Sequence, residues 1–238
     1  MTRFAFPMPA LVIAYILGVP DKDLGKFRSW SNDLATVIGN SRRVEGRFDI
    51  GAKALTNLTK YFREAVDLRR SQGLRGRLID QLIEAQDAQR VMTKDELIAT
   101  CILILFAGHE TTMHLIGNGV VLLLQNPMEF RKVQKDPELI PSMVNEVLRY
   151  ESSVFAIVRV AKEDLKLNGK KISKGDRVFL MLSAANRDPA HFPNPETFDL
   201  SRLPNRHLSF GYGIHFCIGA QLARVEAEVA FRSLLPLL

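Results

Sequence analysis

The 238 residues are 47% hydrophobic and 24% charged, and the chain carries a net charge of +6 at pH 7. A chain of this size and composition can bury one sizeable core, and it lacks the low-complexity tracts and repeats that indicate disorder or a solenoid. Lysine and arginine are scattered rather than clustered with aromatic residues, which argues against a nucleic-acid partner. The two cysteines, Cys101 and Cys217, have no zinc-site spacing and indicate a reducing, cytoplasmic location.

The N-terminal part of the chain is predicted to be helical. Residues 10–88 alternate helix-forming stretches with short breaks; Pro20–Asp21 is predicted to open a helix, and Gly46 and Gly51 are predicted to mark a loop. The apolar stretch over residues 4–19 contains two prolines and no following cleavage site, so it differs from a secretory signal. No apolar run is predicted to be long enough to span a membrane.

A long helix is predicted in the middle of the chain. Thr93 and Glu96 form a capping box, in which each side chain accepts a hydrogen bond from a free backbone N–H of the other. Neither proline nor a turn cluster follows until Asn126–Pro127, which predicts a helix of roughly 33 residues, about 50 Å long. Residues 101–107 are apolar nearly all round, which favours a position in the core. The polar residues 109–112 in its middle therefore require a function or a partner.

The C-terminal part is predicted to combine helices with a few strands. A helix is predicted to end near Tyr150, and strands are predicted over residues 155–160 and 177–182, with a tight turn at Asn168–Gly169. Residues 186–205, rich in proline, aspartate and asparagine, predict a long loop before a final helix. The predicted fold class is mainly α with a small β component.

A glycine-rich loop surrounds Cys217. Residues 210–219 read Phe-Gly-Tyr-Gly-Ile-His-Phe-Cys-Ile-Gly, and the final helix is predicted to begin at about Gly219. Glycines allow a flat ligand to approach the backbone closely, and the free N–H groups at a helix N-terminus favour a thiolate. A lone cysteine near a helix start is more often a small buried apolar residue. Cys217 and His215 also leave open a cysteine hydrolase, although no third orienting residue is evident.

The spacing Phe-Gly-x-Gly-x-His-x-Cys-x-Gly resembles the haem-binding loop of the cytochrome P-450 family, especially of its soluble bacterial members. The resemblance implies haem b with the Cys217 thiolate as the axial ligand of the iron, which promotes O–O cleavage. It further implies that His215 hydrogen-bonds a haem propionate and that Phe210 packs near the sulfur. Gly211 and Gly219 are implied to belong to the same haem-binding loop.

Residues 107–112, Ala-Gly-His-Glu-Thr-Thr, resemble a second signature of that family, on the helix that crosses the distal haem face. The resemblance implies that Gly108 leaves room for oxygen and substrate and that Glu110 and Thr111 relay protons for oxygen activation. Adjacent Glu and Thr occur in many helices, so alone they would be interpreted as capping or surface residues. His109 is interpreted as a structural, hydrogen-bonded histidine.

Three further groups of residues follow from the same resemblance. Glu146 and Arg149 lie one helical turn apart, where side chains can meet, and are implied to form a buried network with Arg202. Arg159 is implied to pair with a haem propionate. A solvated arginine at Arg202 and a salt-bridged one at Arg159 are the alternatives. The residues implied to line a largely hydrophobic substrate pocket are Leu103, Phe106, Ala107 and Phe155.

The resemblance implies a haem-dependent monooxygenase that inserts one oxygen atom of O2 into an organic, hydrophobic substrate with electrons from NAD(P)H. A ferredoxin or flavodoxin and its reductase are implied as separate electron donors, with no membrane span. Since family members carry more chain on both sides, residues 1–238 are interpreted as a single incomplete domain that lacks its N-terminal section and C-terminal end. The alternative function is a truncated haem-binding or non-catalytic fragment of that family.

Overall fold

The computed structural model describes residues 4–38, 44–74, 76–89 and 92–238. Within these ranges the chain forms nine α-helices and four short strands, so the predicted mainly α fold class with a small β component is confirmed. The chain divides into two compact units, Met1–Glu110 and Thr111–Leu238. The interpretation of the whole chain as one incomplete domain stays a prediction.

The first unit is helical, as predicted. A 3₁₀ turn at Asp21–Asp23 follows Pro20 and leads directly into the second helix. The core is built from fully buried side chains that include Leu58, Phe62 and Ile83. The helices of this unit are α1 (Pro7–Leu17), α2 (Leu24–Ile38), α3 (Arg47–Gln72) and α4 (Leu78–Gln89), followed by α5 (Lys94–Gln125), which continues into the second unit.

The predicted loop around Gly46 and Gly51 is only half correct. Gly46 lies just before α3 with a φ of 67°, a left-handed conformation that favours glycine. Gly51 instead lies inside α3, where an added Cβ would collide with the side chain of Val37 on α2. The missing side chain at Gly51 therefore permits close helix packing, and interpreting it as a loop signal was wrong.

The long helix α5 has the predicted bounds. The Thr93 N–H donates to Glu96 Oε2 at 2.7 Å and the Glu96 N–H donates to Thr93 Oγ1 at 3.2 Å, so the predicted capping box is confirmed. By length and composition alone α5 is apolar enough to cross a membrane, which corrects the prediction that no run reaches that length. Core helices of soluble proteins can be equally long and apolar.

The second unit combines helices with two small antiparallel sheets. β1 (Ala156–Val160) pairs with β4 (Arg177–Met181), and β2 (Leu165–Leu167) pairs with β3 (Lys170–Ile172). The predicted tight turn joins β2 to β3, with φ values of 49° at Asn168 and 79° at Gly169. The helices are α6 (Pro127–Lys135), α7 (Ile140–Tyr150), α8 (Leu182–Ala185) and α9 (Ala220–Leu234).

Three predictions about this unit differ in their accuracy. The predicted end of a helix near Tyr150 and the predicted start of the final helix near Gly219 are confirmed by α7 and α9. The strand predicted over residues 177–182 ends one residue early, because Leu182 begins α8 and is buried there. The helices pack around a core that includes Leu123, Val144 and Phe231.

Candidate functional site

A buried ion network joins α7 to the long loop that follows α8. Glu146 and Arg149 are completely buried, and Arg202 is 9% exposed. The Arg149 guanidinium donates to both Glu146 carboxylate oxygens at 2.8 Å, and Arg202 Nε donates to Glu146 Oε1 at 3.1 Å. The structure thus brings together the three residues that the sequence grouped, with one carboxylate between two guanidinium groups.

The rest of each guanidinium in this network binds the loop backbone. Arg149 also donates to the carbonyl oxygens of Asn186, Pro195 and Thr197 at 2.9–3.0 Å, so all five of its N–H donors are used. Arg202 donates to three loop carbonyls as well. Because buried charges are tolerated only when paired and hydrogen-bonded, the network fixes the course of this loop.

The segment that enters the cysteine loop is held to α7 by polar side chains. Asn186 Nδ2 donates to Ser209 Oγ at 2.9 Å, and that hydroxyl donates to the Leu148 carbonyl at 2.6 Å. His207 Nδ1 accepts the Ser209 N–H at 3.3 Å, so its Nε2 faces Asn145 Oδ1, also at 3.3 Å. Both ring nitrogens of His207 therefore have partners within this part of the chain.

The loop around Cys217 closes on itself through its backbone. The Cys217 N–H donates to the Phe210 carbonyl at 2.9 Å, and Gly211 and Gly213 both have a φ of 74°. A side chain at either position would force a strained left-handed backbone. Helix α9 begins just beyond the cysteine, with Gly219 as its N-cap. A Cβ at Gly219 would lie 3.9 Å from the Cys217 sulfur.

The outer surface of this loop is apolar and exposed. Tyr212 and Ile214 are 88% and 98% exposed, Ile218 is fully exposed, and the Cys217 thiol is accessible. Among the described residues, no group of three or more His, Cys, Asp or Glu side chains is placed to hold a metal ion. The accessible Cys217 thiol can serve as one protein ligand to a metal, and the exposed apolar side chains beside it can contact a larger apolar group that carries the metal. These features fit haem, whose iron accepts one axial thiolate.

The two residues proposed to bind haem propionates are both exposed. His215 lies in the short 3₁₀ turn Gly213–His215, and Arg159 lies on β1 opposite Val178. In the described part of the chain, Arg159 forms no ion pair; its Nη1 donates only to the neighbouring Val158 carbonyl at 3.0 Å. No hydrogen bond joins His215 to the Cys217 thiol among the described residues, so the structure gives no support to a cysteine hydrolase.

The side of Phe210 that the loop leaves free is covered by α9. The Arg224 guanidinium lies over the Phe210 ring, 4.5 Å from its centroid, and Arg224 Nε donates to Asn145 Oδ1 at 3.1 Å. Phe216 also approaches Phe210, with ring centroids 6.4 Å apart. Phe210 is therefore a packing centre for the loop that carries the thiol.

The predicted oxygen and substrate residues of α5 share one side of the helix. Leu103 is 63% exposed, Ala107 is exposed, and Glu110 and Thr111 are half-buried, at intervals of three and four residues. Phe106 instead packs against the core of the first unit. The remaining predicted substrate residue, Phe155, lies just before β1 and is 63% exposed.

Two other residues of the α5 motif have partners in the first unit. An added Cβ at Gly108 would lie 2.8 Å from the side chain of Ile13 on α1, so this glycine also allows close helix packing. His109 is buried, and its Nδ1 lies 2.9 Å from the Leu105 carbonyl. Burial lowers the pKa of His109, against opposing effects of that carbonyl and of Glu110. The structural interpretation of His109 is confirmed.

Sequence reasoning missed a buried carboxyl group on α9. Glu226 is 4% exposed, and within the described residues neither of its oxygens makes a hydrogen bond of normal geometry, although the Thr112 hydroxyl lies close by. Burial raises its pKa to about 7, and the nearby Thr112 hydroxyl offsets only part of this effect. A signal was present in the sequence, because Glu226 falls at helical spacing among the buried residues Ala227, Ala230 and Phe231.

Comparison with known proteins identifies the same family that the motifs indicated. The family model described as "Cytochrome P450" matches residues 31–236. The "Biotin biosynthesis cytochrome P450" of Bacillus subtilis (strain 168) is 41% identical over 235 residues. That alignment covers 99% of this chain and 59% of the relative, so the chain spans about three fifths of the relative's length.

Solved structures agree in fold. The crystal structure of P450BioI in complex with an acyl carrier protein ligated to hexadec-9Z-enoic acid matches with a TM-score of 0.92 and 41% identity, over 99% of this chain and 60% of that one. The myxobacterial cytochrome P450 CYP267B1 in complex with myristic acid also matches with a TM-score of 0.92, at 42% identity, over 99% of this chain and 57% of that one. The predicted resemblance in fold is therefore confirmed.

Proposed function

Because the chain belongs to the cytochrome P450 family, we propose that it carries the haem-binding and proton-transfer residues of a monooxygenase. The proposed reaction inserts one oxygen atom of O2 into an organic, hydrophobic substrate. The observation that carries the proposal is the accessible Cys217 thiol, presented by a loop that the Glu146 network and the α7 contacts hold in place. We propose that residues 1–238 form part of a single domain of this family.

Haem b, when bound with an axial thiolate, supplies the oxygen-activating redox chemistry. Cys217 would hold the haem iron through its thiolate, and we assign the support of its sulfur to Phe210, whose carbonyl accepts the Cys217 N–H. We assign Gly211 and Gly219 to the same haem-binding loop, since Gly211 has a left-handed backbone and Gly219 lies beside the sulfur. The remaining assigned haem contacts, to the propionates, are those of His215 and Arg159.

On the oxygen side we assign proton transfer to Glu110 and Thr111. A half-buried carboxyl next to a half-buried hydroxyl combines a proton donor with shielding from bulk water, which general acid catalysis requires. Gly108 is assigned to the same helix segment, where it contributes space. The substrate-lining residues that we propose are Leu103, Phe106, Ala107 and Phe155.

Two observations support a hydrophobic substrate. The assigned lining residues are apolar, and three of the four are accessible in the structure. Two of the similar structures contain fatty acyl groups, hexadec-9Z-enoic acid on its carrier protein and myristic acid. A long apolar chain is therefore the substrate class that we propose to examine first.

We propose that electrons come from NAD(P)H through a ferredoxin or flavodoxin and its reductase, in the cytoplasm. The net charge of +6 favours an acidic electron donor, because opposite charges steer association. In this proposal the chain accepts electrons from a separate protein.

The Cys217 assignment is tested by haem-loaded chain that is reduced and exposed to carbon monoxide. A thiolate ligand is expected to give the strongly red-shifted Soret band, and Cys217→Ser is expected to abolish it. Cys101→Ala is the matched control, because Cys101 is the only other cysteine and is buried in the first unit. A band that survives Cys217→Ser, or that is absent from the haem-loaded parent, contradicts the assignment.

A second measurement distinguishes an active monooxygenase from the alternative, a non-catalytic haem-binding fragment. Substrate-dependent consumption of NAD(P)H with a supplied ferredoxin and its reductase is expected if the chain is an enzyme. A chain that shows the red-shifted band but no such consumption supports the non-catalytic alternative.

A further inference from the structure

The segment between α7 and β1 is attached to the middle of α5 by two hydrogen bonds. We call residues 151–155 the connector. Ser153 Oγ donates to the carbonyl oxygen of Thr111 at 2.8 Å. Asn118 Nδ2 donates to the Glu151 carbonyl at 3.0 Å. Both bonds lie within the second unit, and one of them ends on the residue to which we assign proton transfer.

The two attachment points fit the geometry of a helix. Thr111 and Asn118 are two turns apart on α5, so they lie on the same side and are separated by roughly 10 Å along its axis. The connector therefore runs alongside α5 instead of touching it at a single point. Two anchored positions define a direction as well as a distance, and they restrict sliding between the connector and the helix.

The start of the connector is fixed independently of α5. The Glu151 N–H donates to the Val147 carbonyl at 2.8 Å, and the Arg187 guanidinium donates to the Tyr150 carbonyl at 2.8 Å. Both acceptors belong to α7, the helix that carries the buried Glu146–Arg149 pair. The connector can therefore transmit the position of a rigid helix to the Thr111 carbonyl.

A hydroxyl at this carbonyl restricts the backbone that carries the Thr111 side chain. In an α-helix the carbonyl of residue 111 accepts the N–H four residues further on, and its second lone pair remains available to another donor. The Ser153 hydroxyl takes up this second position and orients the peptide plane after Thr111. Because threonine is β-branched and has few rotamers in a helix, its hydroxyl follows the backbone closely.

We propose that Ser153 is a positioning residue that orients the Thr111 hydroxyl for proton transfer. The inference rests on the proposed function, in which Thr111 handles a proton during oxygen activation. The neighbouring Ser152 provides a matched control. It is buried, and its hydroxyl donates at 2.9 Å to the Val154 carbonyl, within the connector itself. Removing the Ser152 hydroxyl leaves the bond to α5 in place.

The test uses haem-loaded full chain with a ferredoxin, its reductase, NAD(P)H and myristic acid as the probe. The measured quantity is the ratio of hydrogen peroxide released to water formed from O2, since a misplaced proton donor favours release of peroxide. Ser153→Ala is expected to raise this ratio about fivefold, because it removes one net hydrogen bond. Ser152→Ala is expected to leave the ratio unchanged. Ser153→Thr keeps a hydroxyl and is expected to give the same ratio as the parent.

A double variant separates positioning from a general structural role. If Ser153 acts through Thr111, Ser153→Ala is expected to add nothing to the ratio of Thr111→Ala, whereas independent effects would multiply. The inference is overturned if Ser153→Ala matches Ser152→Ala, or if its full effect persists without the Thr111 hydroxyl.

Hydrogen exchange of the chain tests the same contact without turnover. Ser153→Ala is expected to speed exchange of the α5 amides that follow Thr111 about fivefold, with no change in Ser152→Ala. Equal exchange in the two variants would overturn the inference. A missing red-shifted band in haem-loaded parent would instead remove the proposed function, and the exchange result would still decide whether Ser153 holds α5.

Discussion

The ion network on α7 and the cysteine loop lie in the same unit. They differ in whether their side chains find partners within the chain or remain exposed. Glu146 and Arg149 are fully buried, and every guanidinium donor of Arg149 finds an acceptor on the chain itself. On the cysteine loop, Ile214 and Ile218 extend away from the protein, and the Cys217 thiol is accessible. One region is closed by the protein alone, whereas the other presents an apolar face.

The difference shows how a ligand position can be fixed before the ligand binds. The network and the Asn186–Ser209 contacts determine where the chain enters the cysteine loop. Backbone bonds such as that from Cys217 to Phe210 determine the shape of the loop itself. The side chains on the loop surface are exposed, so they are available for binding. Preorganisation of this kind reduces the ordering that binding would otherwise require.

The largest expected effect on stability comes from disrupting the buried ion network on α7. Glu146→Gln removes the charge that both Arg149 and Arg202 face, which leaves two buried guanidinium groups without a carboxylate. We expect the free energy of unfolding to fall by about 3–5 kcal/mol, as for other buried pairs that lose one partner. Urea unfolding followed by circular dichroism measures this change.

The matched control is an ion pair of the same unit that lies in solvent. Glu138 and Arg232 are 3.6 Å apart, and both side chains are exposed, by 83% and 46% respectively. Glu138→Gln is expected to change stability by less than about 0.5 kcal/mol, because exposed pairs contribute little. Equal losses in the two variants would show that the buried network does not hold the fold.

The second expected effect concerns pH and the buried Glu226. Its pKa is raised from an ordinary 4.5 to about 7, so the unfolded chain releases this proton at lower pH than the folded chain does. The contribution of Glu226 to the free energy of unfolding is therefore fully present below about pH 4.5 and is lost as the pH rises to about 7. Glu226→Gln stays neutral throughout, and its stability relative to the parent is expected to increase by roughly 3 kcal/mol across this range.

The free energies of unfolding of the parent and of Glu226→Gln must be compared at each pH, because the buried His207 changes stability with pH in the direction opposite to Glu226. Burial, followed by Arg224 and Arg149, lowers the pKa of His207 to about 4. The histidine therefore stabilises the fold increasingly as the pH rises from about 4 to 6.5. This contribution is common to the parent and to Glu226→Gln and cancels in the difference. A difference that stays flat between pH 4 and 8 would contradict the raised pKa of the buried Glu226.

The ion network on α7 and the contacts around it were not equally predictable from the sequence. The Glu146–Arg149 spacing is local, so helical periodicity alone places the pair on one face. Their carbonyl acceptors come from a loop without periodicity, and nothing local indicates them. The α5 capping box was likewise predictable, but the Ser153 bond to Thr111 joins residues 42 positions apart. Gly51 shows the converse problem, since glycine marks both loops and close helix packing.

The smallest expected effect tests whether the cysteine loop is independent of folding. Cys217 is exposed, so Cys217→Ser in haem-free chain is expected to alter the free energy of unfolding by less than about 0.5 kcal/mol. Cys101 is completely buried on α5, where Cys101→Ser introduces a hydroxyl into an apolar core and is expected to cost about 1–3 kcal/mol. Urea unfolding of both variants provides the comparison. A loss for Cys217→Ser as large as that for Cys101→Ser would mean that the thiol belongs to the fold rather than to an open ligand site.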